Sequence, residues 1–224
     1  MKRHYYFLIA LFLFIFYSCK EEGEKIIESD IVYAGVYEAS YIHHEFNPPL
    51  KIKTELDSVT WFSSGKDSID LDLDGNFDLI ISVYLHPNDT AYEIGSKRFF
   101  PSCRLLFKNN FEVAIKGFQY ACGHGICNYA PFIESFEYNT DINHFEFDWY
   151  LGNENKTLWL ITPEGSGYPR GWWYYANEEE RYIGIRIKEQ INTNTYRYRY
   201  GWIKVNAINR NDMSVTEYAL EQAI

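Results

Sequence analysis

The stretch YRYGWIKVNA (residues 198–207) shows the kind of pattern that decides the fold. Together with Arg197 it begins as RYRYGW, in which tyrosine and arginine alternate. Alternate residues of an extended chain lie on opposite faces, so this pattern places the tyrosines on one face and the arginines on the other. It is typical of a β-strand rather than of a nucleic-acid site, although it is the one basic-aromatic stretch of the chain.

Short runs of this kind recur along the chain, separated by Gly, Pro, Asn and Asp, and no long run keeps a 3.6-residue apolar period. Many short strands with turn residues between them predict an all-β fold, an antiparallel β-sandwich resembling a jelly roll, in one domain. Asn-rich KNN (108–110) is expected to form a hairpin turn. The predicted strands are 31–39, 58–62, 78–85, 103–107, 111–118, 144–151, 157–162, 182–188, 198–207 and 214–220.

Composition agrees with a folded β protein and narrows its partners. The chain has 224 residues, of which 46% are hydrophobic and 19% aromatic. This is enough for a real core, and aromatic residues favour strands over helices. The net charge of −10 indicates that nucleic acid is not a partner, because binding to phosphates needs a basic face.

The N-terminus predicts export and lipid anchoring. A basic start is followed by an apolar run at 5–17 and then by Ser18 and Cys19. We interpret residues 1–18 as a signal peptide, since the run is too short to span a bilayer. A cysteine in this position resembles a bacterial lipobox, which implies lipidation of Cys19 and an outer-membrane lipoprotein; the alternative is ordinary cleavage nearby. Residues 19–30 are then an acidic tether to a domain at 31–224.

Three cysteines follow Cys19. Cys122 and Cys127 in CGHGIC are close enough to form a disulfide in an oxidising compartment, and a bridge to Cys103 is the alternative. Zinc is not favoured, because one histidine between two cysteines lacks the second pair of ligands.

The segment DLDLDGNFD (70–78) crowds four carboxylates into one turn. Like charges so close repel each other by roughly a kcal/mol even in water, so a cation is expected to balance them. Acidic residues at alternate positions before Gly75 suit calcium, which takes six to eight oxygens. The twelfth position is Ile81 rather than the Glu of an EF-hand, so we expect a strand-flanked, structural calcium site; the alternative is a solvated acidic turn. The predicted ligands are Asp70, Asp72, Asp74, Asn76 and Asp78.

The loop and the last forty residues together resemble a group of uncharacterised secreted bacterial proteins. In that group a D-x-D-x-D-G-x-x-D loop precedes strands of the form YIGFRF, YGWI and YAYE. The matching pieces are YIGIR (182–186), YGWI (200–203) and EYALE (217–221). Lys20-Glu21-Glu22 also resembles the surface-export signal of Bacteroidetes lipoproteins. The resemblance implies a calcium-bearing β-sandwich at the cell surface and implies no activity.

One further segment is a candidate ligand site. GWWYYA (171–176) groups four aromatics that could stack on sugar rings, although such runs are more often core packing. No catalytic motif is present. We therefore expect a non-catalytic surface module that binds or scaffolds a glycan or protein; the alternatives are a polysaccharide-active hydrolase and a purely structural envelope lipoprotein. The predicted ligand-binding residues are Arg170, Trp172, Trp173 and Tyr174.

Overall fold

The computed structural model describes ten segments of the chain, and in them the fold is all-β, as predicted. The described residues contain no helix that is long and apolar enough to cross a membrane. The segments are 24–27, 31–56, 63–87, 99–108, 110–122, 125–142, 148–151, 158–161, 180–209 and 212–223.

Thirteen strands lie in these segments, and each predicted run from 78 onward overlaps one of them. The predicted strand at 58–62 lies outside the described residues. The strands are β1 (Lys25–Ile27), β2 (Tyr41–Lys53), β3 (Glu55–Leu56), β4 (Ser63–Ile69), β5 (Leu79–Pro87), β6 (Phe99–Phe107), β7 (Phe111–Cys122), β8 (Gly125–Ile133), β9 (Asp148–Leu151), β10 (Leu158–Ile161), β11 (Glu180–Asn192), β12 (Thr195–Asn209) and β13 (Asp212–Glu221).

The strands form one hydrogen-bonded path that folds over into two facing layers. Its order is β2-β13-β12-β11-β7-β8-β10-β6-β5-β4-β3, with β1 added beside β12 and β9 beside β7. The described pairings are antiparallel apart from β1 with β12 and β8 with β10. Cys103 on β6 and Met213 on β13 face each other, with their sulfurs 3.1 Å apart. The predicted antiparallel β-sandwich is therefore confirmed.

The predicted hairpin at KNN (108–110), of which the structure describes Lys108 and Asn110, is not found. The connection joins β6 to β7, and these strands lie in different parts of the path and do not pair. The hairpin prediction is therefore wrong: the connection passes from one layer to the other. Phe107 and Phe111 on its two sides are fully buried, so the chain turns directly over the core.

The core between the layers draws buried side chains from nine of the described strands. Strand alternation sends every second residue inward, for example Ile183 and Ile185 of β11 and Ile203 and Val205 of β12. Leu79 and Ile81 of β5 reach the same core from the facing layer. This contact between layers buries the apolar surface that drives folding.

The opposite face of β11 and β12 is covered as well. Val32 and Ala34 pack with Phe136 and Ile142 against Trp202 in a second core. The covering chain is irregular, and its hydrogen bonds include Ala34 N to Thr140 O and Ile142 N to Val32 O. The prediction of a strand at 31–39 is therefore wrong, because this segment packs across the sheet instead of joining it.

Gly184 makes this second layer of packing possible. A Cβ at this position would lie 2.7 Å from Cγ2 of Ile142 and 3.1 Å from Cε2 of Phe136. The covering segment can therefore approach β11 this closely only where the strand carries no side chain.

Strand β2 was not among the predicted strands, and its prolines explain why. It is an edge strand, where a missing N–H is tolerated. Its pairing with β13 shifts between Leu50 opposite Val215 and Glu45 opposite Glu217, so Pro48 and Pro49 fall in the irregular part of the ladder. Lys25–Ile27 also differs from prediction: it lies in the expected tether yet pairs with β12.

The structure bears on one of the two predicted cysteine pairings, the one that involves Cys103. Cys103 is a free, buried thiol in the structure, so it forms no bridge there. Cys122 and Cys127 lie in the β7–β8 hairpin, where Cys122 is opposite Gly125 and Cys127 is opposite Tyr120. Their side chains lie outside the described residues, and the disulfide between them stays a prediction.

The second core can be tested by truncating one residue on the covering segment. Ile142→Ala removes a fully buried side chain, so we expect a loss of about 2–5 kcal/mol in the free energy of unfolding. The matched control is Ile31→Ala, which removes a side chain that is 58% exposed and should cost less than about 0.5 kcal/mol. Urea unfolding of both variants measures this, and equal losses would contradict the packing described.

Candidate metal centre

The acidic loop (residues 70–78) connects β4 to β5 at one end of the sandwich. Its backbone turns sharply, with φ of 62° at Leu73 and 91° at Gly75. Glycine takes such angles without steric cost. Gly75 therefore allows the loop to bend without strain at this position.

Three carboxylates of the loop converge. One oxygen from each of Asp70, Asp72 and Asp78 lies within 4.8 Å of the other two. Three negatively charged oxygens at this spacing repel one another, and a cation among them would remove that repulsion. The cluster can thus bind a metal ion through oxygen ligands.

Asp78 is the fixed member of the cluster. It is fully buried, and its Oδ2 accepts hydrogen bonds from the backbone N–H of Leu71 at 2.9 Å and of Asp72 at 3.4 Å. Its own N–H donates to Ile69 O at 2.9 Å, and its carbonyl accepts from Lys108 N at 2.6 Å. The carboxylate is therefore held between the end of β4 and the turn after β6.

Asp70 contributes an oxygen that the protein leaves without a partner. Its Oδ2 accepts from Gly75 N at 2.8 Å, whereas its Oδ1 is buried and makes no hydrogen bond. A buried oxygen without a donor costs on the order of 1–3 kcal/mol. A bound cation would satisfy this atom, so the residues present fit a metal ion.

The Asp74 carboxylate is not one of the three that converge, and it is paired with Asn76. The Asp74 carboxylate accepts hydrogen bonds from Asn76, at 2.7 Å from its backbone N–H and at 3.2 Å from its side-chain amide. Both residues are exposed. Of the five ligands that the sequence predicted, the structure brings together Asp70, Asp72 and Asp78.

The electrostatics of the loop reflect crowded, partly buried charge. Burial raises the pKa of Asp72, and the neighbouring carboxylates of Asp74 and Asp70 raise it further. The backbone N–H of Asp74 and the guanidinium of Arg199 act in the opposite direction. In the absence of a cation, the ionised form of Asp72 is thus less stable in the folded chain than in water.

Two residues from the opposite layer support the loop, and sequence reasoning missed both. The Tyr218 hydroxyl donates to Asp70 O at 2.9 Å, and burial, followed by the charges of Asp70, Asp78 and Asp72, raises its pKa to about 12. Arg199, from the RYRYGW stretch, is 5% exposed. Its Nη1 donates to Glu221 O at 3.0 Å, and its Nε lies 3.5 Å from Glu189 Oε2. Only the folded topology brings these distant residues to the loop.

The other predicted site residues lie outside the described part of the chain. These are the lipidation site Cys19 and the candidate ligand-binding residues Arg170, Trp172, Trp173 and Tyr174.

The raised pKa of Asp72 predicts the pH dependence of the metal-free protein. A carboxyl with a higher pKa in the folded than in the unfolded chain binds its proton more tightly when folded, so stability falls as pH rises through that pKa. At pH 7 in EGTA, Asp72→Asn should therefore raise the free energy of unfolding by less than about 1 kcal/mol. The melting temperature should rise slightly with it. The new amide can still accept from Asp74 N.

Thermal unfolding at pH 7 and pH 4 measures this effect. The gain from Asp72→Asn should shrink at the lower pH, and Glu55→Gln, at the other end of the sandwich, should change neither value. A loss of stability on Asp72→Asn in EGTA would contradict the charge repulsion inferred here.

Comparisons with known protein families, with curated proteins and with solved structures give no match for this chain.

Proposed function

We propose that this chain is a lipid-anchored protein of the cell envelope, whose β-sandwich carries a structural calcium ion and serves as a non-catalytic binding or scaffolding module. The observation that carries the proposal is the convergence of Asp70, Asp72 and Asp78 around a buried, unpartnered carboxylate oxygen. The anchor rests on Cys19 and the apolar run before it.

The donor set favours calcium. All three side chains offer carboxylate oxygens, which suit hard cations rather than zinc or copper. Calcium accepts irregular geometry and six to eight oxygens, whereas magnesium demands a near-ideal octahedron and keeps several waters. Asp74 and Asn76 lie in the same exposed turn and could add oxygens through a small rotation of their side chains.

A structural role follows from what the loop connects. Asp78 is bonded to the end of β4 and to the turn after β6, and Asp70 is bonded to Tyr218 on β13. An ion held by these residues would tie both layers of the sandwich together. Such an ion stabilises the folded state without needing a substrate beside it.

A location outside the cell agrees with this chemistry. Extracellular calcium modules work at dissociation constants of about 10⁻⁴–10⁻³ M, where the ion is abundant. A lipidated Cys19 would hold the domain at the membrane, since two or three acyl chains give stable anchoring. The proposed partner is a glycan or another surface protein, and the segment with Arg170, Trp172, Trp173 and Tyr174 is the candidate contact.

Calcium is predicted to stabilise the folded protein. An ion that binds only the folded state adds about 2.7 kcal/mol at one hundred times its dissociation constant. For a chain of this size each kcal/mol corresponds to about 2–4 °C, so millimolar calcium should raise the melting temperature measured in EGTA by several degrees. Magnesium at the same concentration should have a smaller effect.

Variants of the loop identify the ligands. Asp70→Asn combined with Asp72→Asn should abolish the calcium-dependent rise, and Asp67→Asn on β4 should keep it. Asp74→Asn tests whether Asp74 is a ligand in addition to the three converging carboxylates. It should lower the calcium-dependent rise in melting temperature only if Asp74 binds the ion. No rise in the wild type would refute the calcium site.

The anchor is tested by Cys19→Ser in the full-length chain. The wild type should incorporate radiolabelled palmitate and float with membranes, whereas the variant should do neither, because it lacks the thiol that is acylated. Flotation of the variant at wild-type levels would contradict lipid anchoring through this residue.

A further inference from the structure

One end of the sandwich holds the acidic loop and one long hairpin. β4 runs toward this end and β5 away from it, so residues 70–78 lie there. The register of β11 with β7 places the start of β7 and the β11–β12 turn at the same end. The hydrogen bond from the Tyr218 hydroxyl on β13 to Asp70 O, 2.9 Å long, places the layer that contains this hairpin beside the loop.

This hairpin projects beyond its neighbours. The last residue of β11 that pairs with β7 is Ile187, opposite Phe111, and the pairing of β12 with β13 begins at Gly201, opposite Leu220. Lys188 N still donates to Asn110 O beside β7, and Arg199 Nη1 still donates to Glu221 O of β13. Residues 189–198 therefore extend past both neighbours, by about 13 Å for four residues of β11. We call residues 189–198, with the short strand β1 beside them, the arm.

The chain enters the domain at the tip of the arm. β1 pairs in parallel with the start of β12, with Lys25 opposite Thr195 and Ile27 opposite Arg197. The Lys25 N–H donates to Asn194 O in the hairpin turn at 2.9 Å, and Lys188 Nζ lies 2.7 Å from Glu24 Oε2. Glu24, the first described residue, thus lies at this tip and not at the opposite end.

The distance from the tip to the predicted lipid is short. Four residues lie between Cys19 and Glu24, and a fully extended chain over these five Cα–Cα steps spans at most about 18 Å. Acylation of Cys19 would therefore hold the arm within that distance of the lipid headgroups.

The same end carries apolar side chains exposed to solvent. Ile26, Ile27 and Ile191 on the arm are 48%, 42% and 45% exposed, and Leu73 and Phe77 on the acidic loop are 62% and 58% exposed. Such side chains gain free energy when they leave water, by about 25 cal/mol for each Å² buried.

Two tyrosines of the arm also suit an interface between water and lipid. Tyr196 and Tyr198 are partly exposed, and each ring lies against a cation: Lys188 Nζ is 4.2 Å from the centre of Tyr196, and Arg186 Cζ is 3.9 Å from that of Tyr198. Tyrosine is enriched at headgroup depth, and long cationic side chains extend toward the headgroups there.

We propose that the arm and the exposed side chains of the acidic loop rest on the lipid surface in which Cys19 is anchored. The proposal depends on the lipid anchor of the proposed function. It fixes the orientation of the domain: the arm faces the bilayer, and the opposite end, with the β2–β3 and β12–β13 turns, faces outward. Calcium in the loop would lessen the repulsion between its carboxylates and anionic headgroups.

The test measures how close three positions come to lipid. A bimane fluorophore is placed on the lipidated full-length protein through Ile191→Cys, Leu73→Cys or Lys53→Cys. The unsubstituted protein, labelled in the same way, gives the background fluorescence from the native cysteines. Lys53 is the matched control, since it is exposed and lies at the far end of β2. Its partner on β13 is nine residues from the partner of Tyr41, a distance of about 30 Å. The proteins are reconstituted with calcium into phosphatidylcholine–phosphatidylglycerol vesicles that contain headgroup-nitroxide lipid.

The nitroxide should quench the probes at positions 191 and 73 at least threefold more strongly than the probe at position 53. Equal quenching at the three positions, or stronger quenching at 53, would overturn the proposed orientation. If the probe at position 191 is weakly quenched and the protein sediments as a dimer, the arm binds a second copy of the chain instead of lipid. That result would also overturn the proposed orientation. Failure of the wild type to float with the vesicles would instead refute the anchor, so the two failures are distinguishable.

Discussion

The fold depends on the burial of both faces of the β11–β12 pair. One face contributes Ile185 and Ile203 to the core between the layers, and the other carries Gly184 and Trp202 under the covering segment. A strand buried on both sides cannot slip by one residue, because such a shift would exchange the two faces. The pair thereby fixes the register of β7 and β13 on its two sides, and with them the positions of Tyr218 and the acidic loop.

Burial stabilises the β11–β12 pair, whereas charge repulsion destabilises the acidic loop. Its carboxylates are crowded and partly desolvated, which is unfavourable for the metal-free chain, and yet its backbone is held by hydrogen bonds on several sides. Asp78 is anchored by N–H groups, so it cannot relieve the repulsion by moving into water. Because this cluster is formed without an ion, an ion that bound there would relieve the repulsion without having to order the chain.

The local patterns predicted the strands from residue 78 onward and the clustering of Asp70, Asp72 and Asp78, because both depend on residues close together in sequence. Alternation in YRYGWIKVNA and the Asp spacing of 70–78 are of this kind. The errors concern long-range contacts. Residues 31–39 have the composition of a strand, but their partners are Phe136 and Ile142, which no local pattern reveals. KNN has turn chemistry, but whether the strands it joins pair with each other is decided by the whole sheet. Asp78 lies with Asp70 and Asp72, whereas Asp74 does not, and this difference likewise follows from the burial of Asp78 in the folded chain.

The contact between Cys103 and Met213 has a consequence for the chemistry of the folded chain. The thiol is buried between the two layers, and that burial raises the pKa of Cys103, so the reactive thiolate is scarce. Oxidants and alkylating reagents reach this sulfur only when the layers separate. The rate at which Cys103 is modified therefore reports how often the sandwich opens, and a free thiol can persist in an oxidising compartment because its reaction is kinetically blocked.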